Sequence, residues 1–172
     1  PFGSDIRGID LAVDTRAQLG PGRLHIAFRN TRNKQNVVKV KPDTRTDAFV
    51  YDLEHQVPRS RSVLSFDYAL HRFDAIARIN HYGSWSTTVG LFGSNNPPED
   101  VNHYSGKTLL DLEASYKFND TFTVAIGGNN VFNTYPGKEQ NATLQFLGVK
   151  YALTSPFGFN GAFWYARVTA SF

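Results

Sequence analysis

The 172-residue sequence predicts an all-β fold, an antiparallel up-and-down transmembrane β-barrel, and three observations predict it. Apolar and polar residues alternate with period two along seven segments, which places each segment's apolar side chains on one face of a strand. The connections between segments alternate between very short ones and ones of roughly 20 to 30 residues, far longer than ordinary hairpin loops. Aromatic rings gather where the segments end, as girdles at two water–lipid boundaries would.

In chain order, the first segment spans Ile6 to Leu19, where Ile9, Leu11 and Val13 oppose Asp10, Ala12 and Asp14. Gly20-Pro21-Gly22 joins it to the second, in which Leu24, Ile26 and Phe28 oppose Arg23, His25 and Arg29. A long connection, Lys34 to Pro58, leads to the third, Ser62 to Leu70, with Leu64, Phe66, Tyr68 and Leu70 on one face. His71-Arg72 then turns the chain into the fourth, where Phe73, Ala75, Ala77 and Ile79 alternate with Asp74, Ile76, Arg78 and Asn80 and the strand continues through Tyr82 to Trp85. After the long connection Ser86 to Lys107 comes the clearest case. Leu110, Leu112, Ala114, Tyr116 and Phe118 alternate with Asp111, Glu113, Ser115 and Lys117. Phe118-Asn119-Asp120-Thr121 reads as a tight turn into Phe122, Val124 and Ile126. The last long connection, Val131 to Phe159, precedes Ala162, Trp164, Ala166, Val168, Ala170 and Phe172.

Composition agrees with this pattern. Aromatic residues make up 14% of the chain although its mean hydropathy is −0.36, a pairing that suits strands with one face to lipid and one to water. No apolar run approaches the ~20 residues that a membrane helix needs, and no charged-then-apolar leader opens the chain. Eighteen Lys and Arg against fifteen Asp and Glu give a net charge of +3, scattered singly, so nucleic-acid binding is not expected. The absence of cysteine fits several compartments and decides nothing. The chain opens on Pro1 and contains no Met, and is expected to be a piece of a longer protein.

Alternation alone is symmetrical: the apolar face could line a sandwich core or a lipocalin-type cavity as well as meet lipid. Two features favour lipid. Tyr68, Phe73, Tyr116, Phe118, Phe122 and Phe172 lie near the short turns, and Tyr82, Trp85 and Trp164 near the long loops. The opposite face carries Asp67, Arg78, Asp111, Glu113, Lys117 and Arg167, suited to a watery lumen with cross-strand ion pairs and equally to a solvated surface.

The stretch GGNNVFNTYPG, Gly127 to Gly137, resembles the strand-end motif of TonB-dependent receptors, with Asn130, Val131, Phe132, Asn133, Tyr135 and Pro136 in its positions. Ser155 to Phe172 looks like that family's final strand with its terminal aromatic, and Leu53 to Tyr68 like the stretch that introduces a descending strand. The resemblance implies a 22-stranded outer-membrane barrel, of which these seven strands are the sixteenth to the twenty-second. The plug domain and earlier strands would then lie elsewhere, because an odd number of strands cannot close a bacterial barrel and open edges are too costly in lipid. All short turns fall on the periplasmic side and all long loops outside.

The site expectations follow. Phe172 is read as the signal recognised by the barrel assembly machinery. Arg78, Asp111, Glu113 and Arg167 are read as a lumen-facing ligand path. Asn129 and Asn130 could contact ligand, but Asn at a strand end more often satisfies free backbone groups. The five histidines, His25, His55, His71, His81 and His103, lack metal-ligand spacing, so no metal, cofactor or catalytic residue is expected. A Ser–His lipid hydrolase in the wall stays a remote option. Ser94 to Asp100 reads as a solvated loop before a calcium site.

The function expected from the resemblance is energised import of a scarce ligand, a ferric siderophore foremost, across the bacterial outer membrane through TonB and the proton-motive force. The alternatives are a self-contained eight-stranded barrel, with Ala142 to Tyr151 as its eighth strand, acting as anchor or passive channel, and a soluble antiparallel sandwich.

Overall fold

The computed structural model describes residues 3–39, 47–88 and 101–171. Its main feature is one antiparallel seven-stranded sheet. In chain order the strands are β1 (Gly3–Leu19), β2 (Gly22–Lys39), β3 (Ser60–Leu70), β4 (Phe73–Tyr82), β5 (Trp85–Thr88), β6 (Val101–Tyr104), β7 (Lys107–Lys117), β8 (Phe122–Asn129) and β9 (Phe163–Ala170), with helices α1 (Asp47–His55) and α2 (Ala142–Phe146). The sheet order is β1-β2-β3-β4-β7-β8-β9, a meander in which each strand pairs with the next, and β5 pairs with β6 in a separate ribbon. All seven expected segments are strands of the sheet.

The register turns the sequence pattern into rows. One runs Thr15, Ile26, Phe66, Ala77, Leu112, Gly128, Trp164, and the next Ala17, Leu24, Tyr68, Ala75, Ala114, Ile126, Ala166. Directly paired residues project to the same side, so these rows form one continuous apolar face. The alternate row Arg16, His25, Asp67, Ile76, Glu113, Gly127, Tyr165 belongs to the other, polar face.

No second layer covers the apolar face among the described residues. Ile126, Trp164 and Val168 are 63%, 65% and 68% exposed, and among the described residues no large side chain is fully buried. A soluble sandwich buries this face against a second sheet, so the sandwich reading fails on packing. The eight-stranded alternative fails too: Ala142–Phe146 is helical, capped by the Asn141 side chain, whose oxygen accepts from the Leu144 N–H at 3.1 Å. β1 and β9 stand at opposite edges, each with one neighbour.

The short turns have local causes. Gly20, at φ +57°, precedes Pro21, whose ring fixes φ near −65°; that pairing of positive then negative φ matches the twist of a two-residue hairpin. Between β7 and β8, the Asn119 side-chain oxygen accepts the N–H groups of Thr121 (3.0 Å) and Phe122 (2.8 Å).

The loop end differs from the sequence expectation in three ways. β2 continues to Lys39, pairing with β1 beyond the apolar rows, and α1 packs against this end, where the Val37 N–H donates to Glu54 (2.7 Å). The fourth strand stops at Tyr82 instead of reaching Trp85. Here Gly83 and Gly106 let backbones approach closely: a Cβ on Gly106 would sit 2.6 Å from the Tyr82 carbonyl oxygen. Finally, Trp85 is no girdle residue. It is 4% exposed and stacks on Tyr104 (centroids 5.4 Å apart) in a small core with Ala152 and Phe157. Tyr82 lies on the polar side, in register with Arg61, whose guanidinium sits over its ring at 5.1 Å.

Candidate functional site: the polar wall and its outer rim

The polar face is built from short reaches between strands. Glu113 on β7 holds two partners: one carboxylate oxygen accepts from Arg167 at 2.7 Å and the other from the Tyr165 hydroxyl at 2.6 Å. Both partners are on β9, two strands away, and the gap between is Gly127 of β8. The lack of a side chain there is what lets Tyr165 lie across the sheet: a Cβ on Gly127 would fall 2.6 Å from the Tyr165 hydroxyl. The expected cross-strand ion pair is therefore present for Glu113 and Arg167.

Arg78 and Asp111 behave differently. They sit opposite each other in the β4–β7 register, yet Asp111 bonds the Asn80 side-chain amide (2.8 Å) and the Asn130 backbone N–H (2.8 Å). Arg78 makes no ion pair among the described residues and is exposed. Of the four residues expected along the lumen path, three are fixed in the wall and one carries a free guanidinium.

Nearer β1, His25 spans two carboxylates, with Nδ1 3.2 Å from Asp67 and Nε2 3.2 Å from Asp14. Spacing in the sequence hides this cluster, because its members lie on three strands and meet only through the register.

The strand-end motif forms a tied corner. Asn130, 6% exposed and at φ +52°, accepts from the Thr134 N–H (2.9 Å) and donates to the Thr134 carbonyl (2.7 Å). Asn and His tolerate positive φ better than most residues, which is why Asn130, Asn133 (+56°) and His71 (+52°) can occupy it. Val131 donates its N–H to Leu110, Asn133 accepts from the Ala162 N–H at 3.0 Å, and Tyr135 stacks on Tyr151 at 5.2 Å. Pro136 is buried and Phe132 is 76% exposed. The corner thus joins β7, β8 and the approach to β9, tied to the wall by the Asp111 side chain and by the Leu110 carbonyl. Phe172 and the loop Ser94 to Asp100 lie outside the described residues.

Two acids organise the rim above it. Glu139, 4% exposed, accepts from Tyr104 (3.2 Å), Asn102 (3.3 Å) and the N–H groups of Gln140 (2.8 Å) and Asn141 (3.0 Å). Burial first, then the charge of Glu139, pushes the Tyr104 phenol well above its ordinary value. Asp52 of α1 accepts from the Thr87 hydroxyl (2.9 Å) and from the N–H (2.6 Å) and hydroxyl (2.9 Å) of Thr88, which fastens the helix to β5. Neither acid stands out in the sequence, since a loop carries no periodicity that would single out one carboxylate.

Comparison with known proteins adds one finding. Residues 3–131, 129 of the 172, match the family model described as TonB dependent receptor-like, beta-barrel. The match takes in the wall through β8 and ends at Val131, inside the corner motif. No curated protein and no solved structure matches the chain.

Proposed function

This chain belongs to the TonB-dependent receptor β-barrel family, and from that membership we propose that it forms part of the wall of an outer-membrane receptor that imports a scarce ligand. The observation that carries this reading is the uncovered apolar face. From Leu110 to Phe118 it extends over ~27 Å of strand; a tilt of ~40° reduces that to ~21 Å of height, comparable to the ~25 Å apolar band of outer-membrane barrels. Lipid is the solvent that such a face requires.

The seven strands serve as the sixteenth to the twenty-second of a 22-stranded barrel, with the plug domain and the earlier strands outside this chain. Two single-neighbour edges support this, because unpaired backbone is not tolerated in lipid. In that setting the short turns face the periplasm, the long loops face outward, and Phe172 is the signal read by the assembly machinery. TonB acts through the plug and supplies energy from the proton-motive force. The free guanidinium of Arg78 suits an anionic cargo, and a ferric siderophore is the cargo proposed.

Uptake of radiolabelled ferric siderophores by cells carrying the whole receptor tests this. Accumulation that disappears without TonB, or when the proton gradient is collapsed, is expected. Passive, TonB-independent entry would contradict it.

A further inference from the structure

We propose that the rim cavity bounded by His55, Arg59, Ser84, Ser86, His103 and Tyr104 binds a small oxyanion group, a carboxylate or a phosphate. The cavity holds about 210 Å³. That is below the ~300–1,000 Å³ of sites for drug-sized ligands, so it takes a group of a few heavy atoms and not a whole chelate.

Arg59 is the cation of the lining, which also holds the His55 and His103 rings, Ser84, the apolar Val57, Ser86, whose hydroxyl is shared with Tyr51 (2.8 Å), and Tyr104, whose hydroxyl donates to Glu139; no Asp or Glu lines it. Three carboxylates among the described residues accept from other donors: Asp52 from Thr87 and Thr88, Glu54 from the Val37 N–H (2.7 Å), and Glu139 from Tyr104 and its neighbours. The Arg59 side chain has no hydrogen-bond or ion-pair partner among the described residues, and neither does the His103 ring. His55 is held in place, stacked on Tyr51 at 4.2 Å with Nδ1 3.0 Å from the Tyr51 carbonyl, which leaves Nε2 uncommitted. Trp85 also lines the cavity, with its indole N–H given to the Thr154 hydroxyl (3.1 Å).

Arg59 brings a full positive charge into the lining itself, and a guanidinium offers two parallel donors to an oxyanion. Position agrees: Arg59 directly precedes β3, which carries Arg61, Val63, Ser65 and Asp67 on the polar face, and Ser84 lies two residues past Tyr82, where β4 ends. The assignment rests on the import reading, in which this end of the polar face meets the incoming ligand and the cavity holds its anionic end.

Isothermal titration of the whole receptor in detergent, with inorganic phosphate and succinate as separate probes, tests the site. At least one probe is expected to bind saturably, phosphate alone marking a tetrahedral preference and succinate a carboxylate one. Arg59→Gln should weaken binding at least ~10-fold, and Arg59→Lys, which keeps the charge without the fork, should fall between. Unchanged heat-modifiable mobility on electrophoresis establishes that the variants fold. No saturable binding of either probe, or wild-type binding by Arg59→Gln, would overturn the site. Import lost with anion binding intact would sink the import reading alone; TonB-dependent import with no anion binding would sink the site alone.

Discussion

Replacing Gly127 by Ala should release Tyr165 of β9 from Glu113 of β7 without changing a residue of either strand. The added methyl would sit 2.6 Å from the Tyr165 hydroxyl and 2.9 Å from the Leu112 carbonyl oxygen. Leu112 is backbone in a paired strand and cannot yield, so Tyr165 must swing away and release Glu113. A hydrogen bond to a charged acceptor contributes about 1.5–3 kcal/mol, and the lower end applies because this wall is partly open to water. Local rearrangement adds about 1 kcal/mol, for a total near 2.5 kcal/mol. Tyr165→Phe, which deletes only the hydroxyl, should cost about 1.5 kcal/mol. Because the two changes remove the same bond, the double variant should fall short of their sum by about 1 kcal/mol or more. Urea unfolding of the receptor in lipid vesicles, followed by tryptophan fluorescence, reads all three values. Additivity to within about 0.5 kcal/mol would refute the bridge across Gly127.

Three further outcomes follow from the same geometry. Glu139→Ala should leave four donors without their shared acceptor and destabilise the rim by roughly 2–4 kcal/mol, seen as faster hydrogen exchange of residues 137–152 while the sheet stays protected. Tyr104 gives the rim an alkaline limit. Its folded phenol holds its proton beyond the ordinary value, so above about pH 10 the folded state binds more protons than the unfolded one and stability falls as pH rises; hydrogen exchange of the rim should accelerate there, and Tyr104→Phe should remove that dependence. Ile126→Arg on the apolar face should cost about 2–4 kcal/mol in a bilayer, whereas Ser115→Arg on the polar face, opposite Asp74, should stay within about 0.5 kcal/mol by the same urea assay.

The wall was legible in the sequence because a half-buried strand needs strict alternation, and a one-residue slip would reverse every side chain. Leu110 to Lys117 shows the pattern without exception, and its pairing follows. The pattern fails where its cause ends. Gln35 to Lys39 extend β2 beyond the apolar rows, and no continuous apolar face there demands alternation. The rim was the least legible part, since its order comes from single buried acids, Glu139 and Asp52, that collect donors from distant segments. Asn130 to Tyr135 could be picked out as a motif by resemblance. That its asparagines hold two positive-φ corners and reach Thr134 and Ala162 emerges only from the three-dimensional arrangement.

The central claim is that the apolar face meets lipid and the polar face meets water. The chain has no cysteine, so single cysteines can be placed along β7 and labelled with the whole receptor in vesicles. Positions 111, 113, 115 and 117 should react with a water-soluble thiol reagent, and positions 110, 112, 114 and 116, labelled with a fluorophore, should be quenched by lipid-borne quenchers. Reactivity that fails to alternate, or that alternates with the opposite phase, would contradict the account.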